Sequence, residues 1–103
     1  MQSKNLLQYR EFTNGNGNYP SIKDSFSKGP YYGQDKIVEY LRKGHVTLCS
    51  PTITVDVFTG QRIDNQKYLM TDGEYSWNNA LAYYVEKYHL RLPLEFEAKV
   101  LSV

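Results

Sequence analysis

Two carboxylates that flank a glycine are the clearest candidates for chemistry in this chain. Asp72 and Glu74 stand on either side of Gly73, and two carboxyl groups that face one cleft can serve as general acid and general base. Asp-Gly is first of all typical of a turn, because glycine adopts positive φ freely. We therefore predict a turn at Asp72-Gly73, and Asp72 and Glu74 form a candidate acid–base pair if both face a cleft.

The two histidines and the single cysteine are the residues that could bind a metal ion. His45 and His89 are far apart in the sequence, and neither has a ligand-like neighbour two to four positions on. A site built from them and Cys49 would need the fold to bring all three together. No Gly-Lys-Ser/Thr follows the N-terminal glycines, so no phosphate loop is predicted. We predict no metal site and no cofactor, which favours a protein that is not an enzyme.

The composition is that of one globular domain. Hydrophobic residues make up 41% of the 103 residues and charged residues 22%, and an aromatic content of 15% is too high for a disordered chain. Lys and Arg alternate with acids and the net charge is +1, which argues against binding to nucleic acid. We predict a single domain over 1–103, with a loop-rich N-terminal segment at 1–33 and the main α+β body at 34–103.

The N-terminus and the hydropathy predict a cytoplasmic protein. The first five residues are polar and lead into no long apolar run, so we expect neither a signal peptide nor a membrane span. Cys49 is the only cysteine and cannot form an internal disulfide. Because it falls on a predicted strand, we expect a buried thiol.

The elements that would position these residues are visible from residue 34 onward. An acid in the first turn, apolar residues at helical spacing and a glycine just past the end predict a helix over 34–43. Alternating, β-branched residues predict strands over 45–50, 52–58, 61–64 and 67–71. In the second of these, one face should carry Ile53, Val55 and Val57.

Two helices are predicted at the C-terminal end. In the first of them the large apolar residues recur at helical spacing, at Trp77, Leu81, Tyr84, Val85 and Tyr88. Ser76 would be its N-cap, and Pro93 would open the second helix. The predicted fold is therefore α+β: a helix, a three- to four-stranded antiparallel meander, and two C-terminal helices that cover one sheet face. Trp77 should be buried and should anchor the first of these helices on the sheet.

The residues from Asp72 to Phe96 form the densest pattern in the chain. They comprise Asp72-Gly73, Tyr75, Trp77, Leu81, Tyr83-Tyr84-Val85, Tyr88, Leu92-Pro93 and Phe96. This pattern resembles the C-terminal signature of a group of small uncharacterised bacterial proteins, some of which are carried on mobile elements. Asn78 and Leu94 depart from the Pro and the acid expected at those positions. The resemblance implies a fold, a bacterial source and a mobile gene cassette, and it transfers no catalytic residue.

Two classes of function stay open. Ten Tyr, four Phe and one Trp exceed what a core of this size encloses, so aromatic surface should remain exposed. This predicts a small protein-interaction module that forms a two-fold dimer or binds a protein partner, as an immunity protein does. An open sheet edge could contribute to the contact, and the candidate partner-binding residues are Tyr19, Tyr31, Tyr32 and Tyr83.

The alternative is a small-molecule binding or catalytic domain. In this alternative the loop at 14–33 would close over the sheet as a lid. It requires a deep pocket with convergent polar groups, which an interaction module does not.

Overall fold

The described part of the chain, residues 4–7, 9, 12 and 19–102, contains three α-helices and six short strands in a computed structural model. In chain order the elements are β1 (Lys4–Asn5), a 3-10 helix (Ile22–Ser25), α1 (Gln34–Arg42), β2 (His45–Ser50), β3 (Thr54–Val55), β4 (Arg62–Asp64), β5 (Lys67–Thr71), β6 (Tyr75–Asn78), α2 (Ala80–Tyr88) and α3 (Leu94–Leu101). The Cα radius of gyration, 13.1 Å, is that of one compact domain of this length. The predicted α+β class is confirmed.

Four of the strands form a mixed sheet in the order β1-β6-β5-β2, and β3 and β4 form a separate two-stranded ladder. β1 runs parallel to β6, whereas β6, β5 and β2 pair antiparallel. The prediction of a purely antiparallel meander is therefore wrong. The predicted order, in which a helix comes first, is also wrong because β1 precedes α1.

β1 could not be predicted from side-chain alternation because it is two residues long. Backbone hydrogen bonds define it. The N–H of Lys4 donates to the carbonyl oxygen of Glu74 at 2.7 Å, and the N–H of Leu6 donates to that of Ser76 at 2.8 Å. The strand therefore exists only because β6 offers a free edge to the start of the chain.

Helix α1 lies where it was predicted and turns an apolar stripe toward the core. Ile37, Val38 and Leu41 are buried, and the helix packs against α2 and α3. Gly33 precedes it with a φ of 83°, a left-handed conformation that glycine adopts without strain. No helix in these described ranges is long and apolar enough to cross a membrane.

Trp77 is fully buried, as predicted, but it lies on strand β6 and not on a helix. Its opposite residue on β5 is Met70. The prediction of a helical Trp77 with Ser76 as N-cap is wrong, because α2 begins only at Ala80, whose N–H donates to Asn78 Oδ1 at 3.0 Å. Trp77 happens to precede the α2 stripe at a helical interval, so spacing alone could not separate the two elements.

The predicted strand 52–58 is reduced to the two residues of β3. Ile53 and Val57, which were expected on one face of that strand, are exposed, and Asp56 between them is fully buried. The reason is a turn: Asp56 Oδ1 accepts the backbone N–H groups of Phe58 and Thr59 at 2.8 and 3.3 Å. A buried carboxylate has therefore overridden the apolar alternation.

Cys49 lies on β2 as predicted, but its thiol is exposed. The prediction of a buried thiol is wrong because β2 is the outermost strand of its sheet. Alternation indicates that a segment is a strand, but it does not indicate whether that strand is central or peripheral.

We expect Gly44→Ala to lower the free energy of unfolding by about 1–3 kcal/mol, the usual cost of overpacking. A Cβ at Gly44 would lie 2.6 Å from Cζ2 of Trp77, so the indole ring would have to move. Gly29→Ala is the matched control, because a Cβ there meets no atom within 4 Å. Denaturant unfolding measures both. Equal midpoints for the two variants would contradict the close packing of Trp77 on Gly44.

Candidate functional site

The predicted turn at Asp72-Gly73 is present, with Gly73 at a φ of 101°. Asp72 Oδ1 closes it by accepting the backbone N–H groups of Glu74 at 2.9 Å and Tyr75 at 2.7 Å. This is the local geometry that Asp favours at turns. The first role of Asp72 is thus to shape the connection between β5 and β6.

The other oxygen of Asp72 binds two side chains from distant elements. Oδ2 accepts the Tyr40 hydroxyl at 2.6 Å and the Lys99 ammonium at 2.8 Å, and Lys99 also lies 3.0 Å from Glu74 Oε1. Burial raises the pKa of Asp72, but the hydrogen bonds from Lys99 and Tyr40 outweigh burial and hold this pKa well below its usual range. Such a carboxyl group has no proton to donate near neutral pH, so the geometry gives Asp72 and Glu74 the role of an ion cluster that fixes α3.

Two surface cavities adjoin β2 and have room for a small molecule. One, of about 580 Å³, is lined by Tyr40, Lys43, Gly44, His45, Thr71, Asp72 and Gly73. Its main polar groups are already paired, since the Tyr40 hydroxyl binds Asp72 and the Lys43 ammonium binds Glu39 at 2.7 Å. This cavity therefore has few polar groups left to orient a ligand.

The second cavity, of about 450 Å³, lies between α1, α2, β2 and the β3–β4 ladder. The Asn79 amide in its wall donates to Asp64 and to the Gln66 carbonyl, and the Tyr68 hydroxyl donates to Gln66 Oε1 at 2.6 Å. In the described residues every buried side-chain nitrogen or oxygen atom has a hydrogen-bond partner. The convergent, unpaired polar groups that the small-molecule alternative requires are not offered by these two cavities.

The histidines and the cysteine lie in different surroundings. His45, the first residue of β2, and Cys49, its fifth, are both exposed. His89 is half-buried just after α2, with Nδ1 3.1 Å from Gln34 Oε1. Within residues 4–7, 9, 12 and 19–102, no group of three or more His, Cys, Asp or Glu side chains is arranged to hold a metal ion.

Asp56 is a buried charged residue that the sequence analysis did not single out. Its Oδ2 accepts the hydroxyls of Tyr83 at 2.7 Å and Tyr88 at 2.6 Å, and the Lys87 ammonium lies 3.7 Å away. Burial raises the pKa of Asp56, but the hydrogen bonds from Tyr88 and Tyr83 and from two backbone N–H groups lower it to about 2. This carboxylate ties the turn after β3 to helix α2.

The four tyrosines predicted to bind a partner divide into two kinds. Tyr31 and Tyr83 are occupied inside the protein: the Tyr31 hydroxyl donates to the Leu90 carbonyl at 2.5 Å under the Arg91 guanidinium, and Tyr83 binds Asp56. Tyr19 and Tyr32 are exposed, Tyr32 by 90%. Two of the four tyrosines thus have their hydroxyls engaged internally, while their rings stay half-buried.

The segment before α1 is fastened to the end of α2. Backbone hydrogen bonds run from Ser27 N–H to the His89 carbonyl at 2.9 Å and from Arg91 N–H to the Ser25 carbonyl at 2.8 Å, and Ile22 is fully buried. The predicted lid at 14–33 falls partly outside the described residues, which resume at Tyr19. Its described part packs against residues 89–91 and not over the open face of the sheet.

The largest concentration of exposed apolar side chains is on strand β2, where Val46 is 44% and Leu48 is 64% exposed. Leu48 pairs across the ladder with Leu69 of β5, which is itself 39% exposed. Among the described residues β2 has no strand on its other side in this sheet, so a row of its backbone N–H and C=O groups is open there. The sequence carries one further indication, because residues 44–55 contain no Asp, Glu, Lys or Arg.

Comparison of the chain with protein-family models, curated proteins and solved structures finds no match. The resemblance of residues 72–96 to small bacterial proteins, and the mobile cassette that it implies, therefore remain expectations based on those residues.

We expect the protein to lose stability as the pH falls from about 4 toward 2. An Asp whose pKa is lowered by folding, to about 2 for Asp56, stabilises the fold above the unfolded pKa of about 3.9, and this contribution is lost as the folded group is protonated. Asp56→Asn should lower the free energy of unfolding near pH 7 and flatten its dependence on pH in this range. Denaturant unfolding at a series of pH values measures both effects.

Tyr88→Phe, which removes one hydroxyl donor to Asp56, should give an intermediate slope in the same measurement. A slope unchanged in both variants would contradict the assignment of the acid sensitivity to Asp56. Asp72, whose pKa is also lowered, should account for the slope that remains in Asp56→Asn.

Proposed function

We propose that this chain is a small protein-interaction module that forms a two-fold dimer through the open edge of strand β2. The observation that carries the proposal is a six-residue outer strand whose side chains are largely exposed and which has no charged residue. Proteins that stay monomeric protect such edges with Lys, Pro, β-bulges, short strands or a covering segment. Of these, β2 has a bulge between Val46 and Leu48, but it contains no Lys and no Pro. β2 is long for an outer strand and carries two exposed apolar side chains.

The exposed leucines supply a hydrophobic contribution to the proposed contact. Leu48 and Leu69 are neighbours on one face of the ladder, and a two-fold axis beside β2 would bring a second pair next to them. Apolar area removed from water contributes about 25 cal/mol per Å². The backbone groups of β2 add directional hydrogen bonds, as in other complexes formed by strand addition.

The absence of charge favours a second copy as the partner. A two-fold axis places each residue near the axis close to its own mate, so any charged residue there would face a like charge. Residues 44–55 contain none, and the net charge of the whole chain is only +1. Two copies can therefore approach at this edge without electrostatic cost.

We also propose that the module acts in the cytoplasm. The supporting observation is the free, exposed thiol of Cys49, because such thiols persist where the compartment is reducing. In an oxidising compartment an exposed thiol such as that of Cys49 would be prone to oxidation.

Leu48→Lys should dissociate the dimer, because it places a charge next to its mate at the two-fold axis. We expect the parent to have a mass near twice 12.0 kDa by light scattering. Leu48→Lys should raise the Kd of the dimer by at least about tenfold, which corresponds to about 1.4 kcal/mol. Multi-angle light scattering over a range of micromolar concentrations measures both.

Leu94→Lys is the matched control, since Leu94 is 80% exposed but lies on α3. It should keep the mass of the parent. A parent mass near 12.0 kDa at every concentration would refute the dimer, and dissociation by Leu94→Lys but not by Leu48→Lys would place the contact on another surface.

A further inference from the structure

Alternation along β5 determines which backbone groups of β2 face outward. The Asn79 N–H donates to the Tyr68 carbonyl and the Asp72 N–H donates to the Tyr75 carbonyl, both at 3.2 Å. In an antiparallel ladder, residues alternate between bonding to one neighbouring strand and bonding to the other. Tyr68, Met70 and Asp72 therefore turn their backbone groups toward β6, and the residues between them bond to β2.

The residues of β2 that lie opposite Tyr68 and Met70 are Cys49 and Val46. Because these opposite pairs are not hydrogen-bonded to each other, the N–H and C=O of Val46 and Cys49 face the open side. In an uninterrupted strand such residues are two or four positions apart. Here they are three apart, because the register shifts by one residue between Val46 and Leu48.

This shift makes the strand symmetric about its centre. Opposite residues share a face of a sheet, so Val46 and Cys49 lie on the side of buried Met70, and Leu48 lies with Leu69 on the open side. His45 and Ser50, the two ends of β2, pair with Thr71 and Lys67 on the open side as well. Counted from either end of β2, the side chains therefore lie on the open, core, open, core and open sides of the sheet. The middle position is the bulged pair Thr47 and Leu48.

Resting on the dimer proposed above, we infer its register: the two-fold axis passes between Thr47 and Leu48 and is perpendicular to the sheet. Val46 of one copy then lies opposite Cys49 of the other, and the outward N–H and C=O groups of both residues are paired. His45 lies opposite the partner's Ser50, so all six residues of β2 take part. The result is one continuous sheet of eight strands.

The competing register, with the axis on Cys49, is weaker. It would bring Pro51 opposite the partner's Thr47, and proline has no N–H to donate. It would also leave Val46, which is 44% exposed, outside the contact. The inferred register covers Val46 and ends just before Pro51 on both strands.

Engineered disulfides test the register with the full-length chain. In the inferred register Val46→Cys lies opposite the partner's Cys49 with Cα atoms about 5.5 Å apart, within the range of a disulfide. Mild oxidation should therefore give Val46→Cys a covalent dimer on a non-reducing gel. The parent should give none, because Cys49 and its mate would be offset by three residues along the strands, roughly 10 Å, which is beyond the reach of a disulfide.

The control is Val46→Cys combined with Cys49→Ser, which should lose the covalent dimer. A covalent dimer of the parent would overturn the inferred register in favour of an axis on Cys49. A chain that scatters as a dimer but is not cross-linked in Val46→Cys would overturn the register and leave the proposed function standing. A chain that is monomeric by light scattering would overturn both.

Discussion

The packing of Trp77 against the turn between α1 and β2 is the constraint on which the rest of the structure depends. The indole N–H donates to the Leu41 carbonyl at 3.0 Å, which occupies a carbonyl at the end of α1. Gly44 lies two residues after the end of α1. Because it has no side chain, the indole ring can contact the backbone there. Because Trp77 stands in the middle of β6, this one contact fixes the helices relative to the sheet and sets the direction in which β2 leaves α1.

A buried carboxylate, that of Asp56, fixes the segment after β3 to helix α2. Asp56 draws the chain inward by binding two tyrosine hydroxyls of α2 and two backbone N–H groups. With its remaining lone pairs used in this way, the cost of burying its charge is offset. The turn after β3 is therefore held against α2, and among the described residues β2 stays exposed from His45 to Cys49.

The sequence predicted those elements whose pattern is local. Helix α1, strands β2 and β5, and α3 after Pro93 all lie close to their predicted positions, because caps, alternation and helical spacing act over a few residues. β1 and the place of Trp77 could not be predicted, since the first depends on a distant free edge and the second fits a strand and a helix equally well. The α+β class could be predicted because it depends on local patterns. The sheet order could not, because it depends on contacts between distant parts of the chain.

The candidate site was only partly visible in the sequence. The uncharged stretch at 44–55 can be seen in the sequence, but that β2 has an open side follows from strand order, which is set by long-range contacts. The sequence also could not show which tyrosine hydroxyls are engaged, and those of Tyr31 and Tyr83 have partners inside the protein. Composition gives the number of aromatic rings, whereas the exposure of a tyrosine depends on whether its hydroxyl has a hydrogen-bond partner inside the protein.

The parallel pairing of β1 with β6 has a consequence for the order in which the chain folds. β5 and β6 are neighbours in the sequence and can form a hairpin on the microsecond timescale, whereas Lys4 and Tyr75 are separated by most of the chain. Closing so long a loop costs more entropy than two residue pairs return, so β1 can join only a sheet that already exists. The nascent domain should therefore pass through a stage in which the edge of β6 is open as well as that of β2. In that stage a second chain could pair with β6 before β1 does, and fast intramolecular docking of β1 would limit this competition.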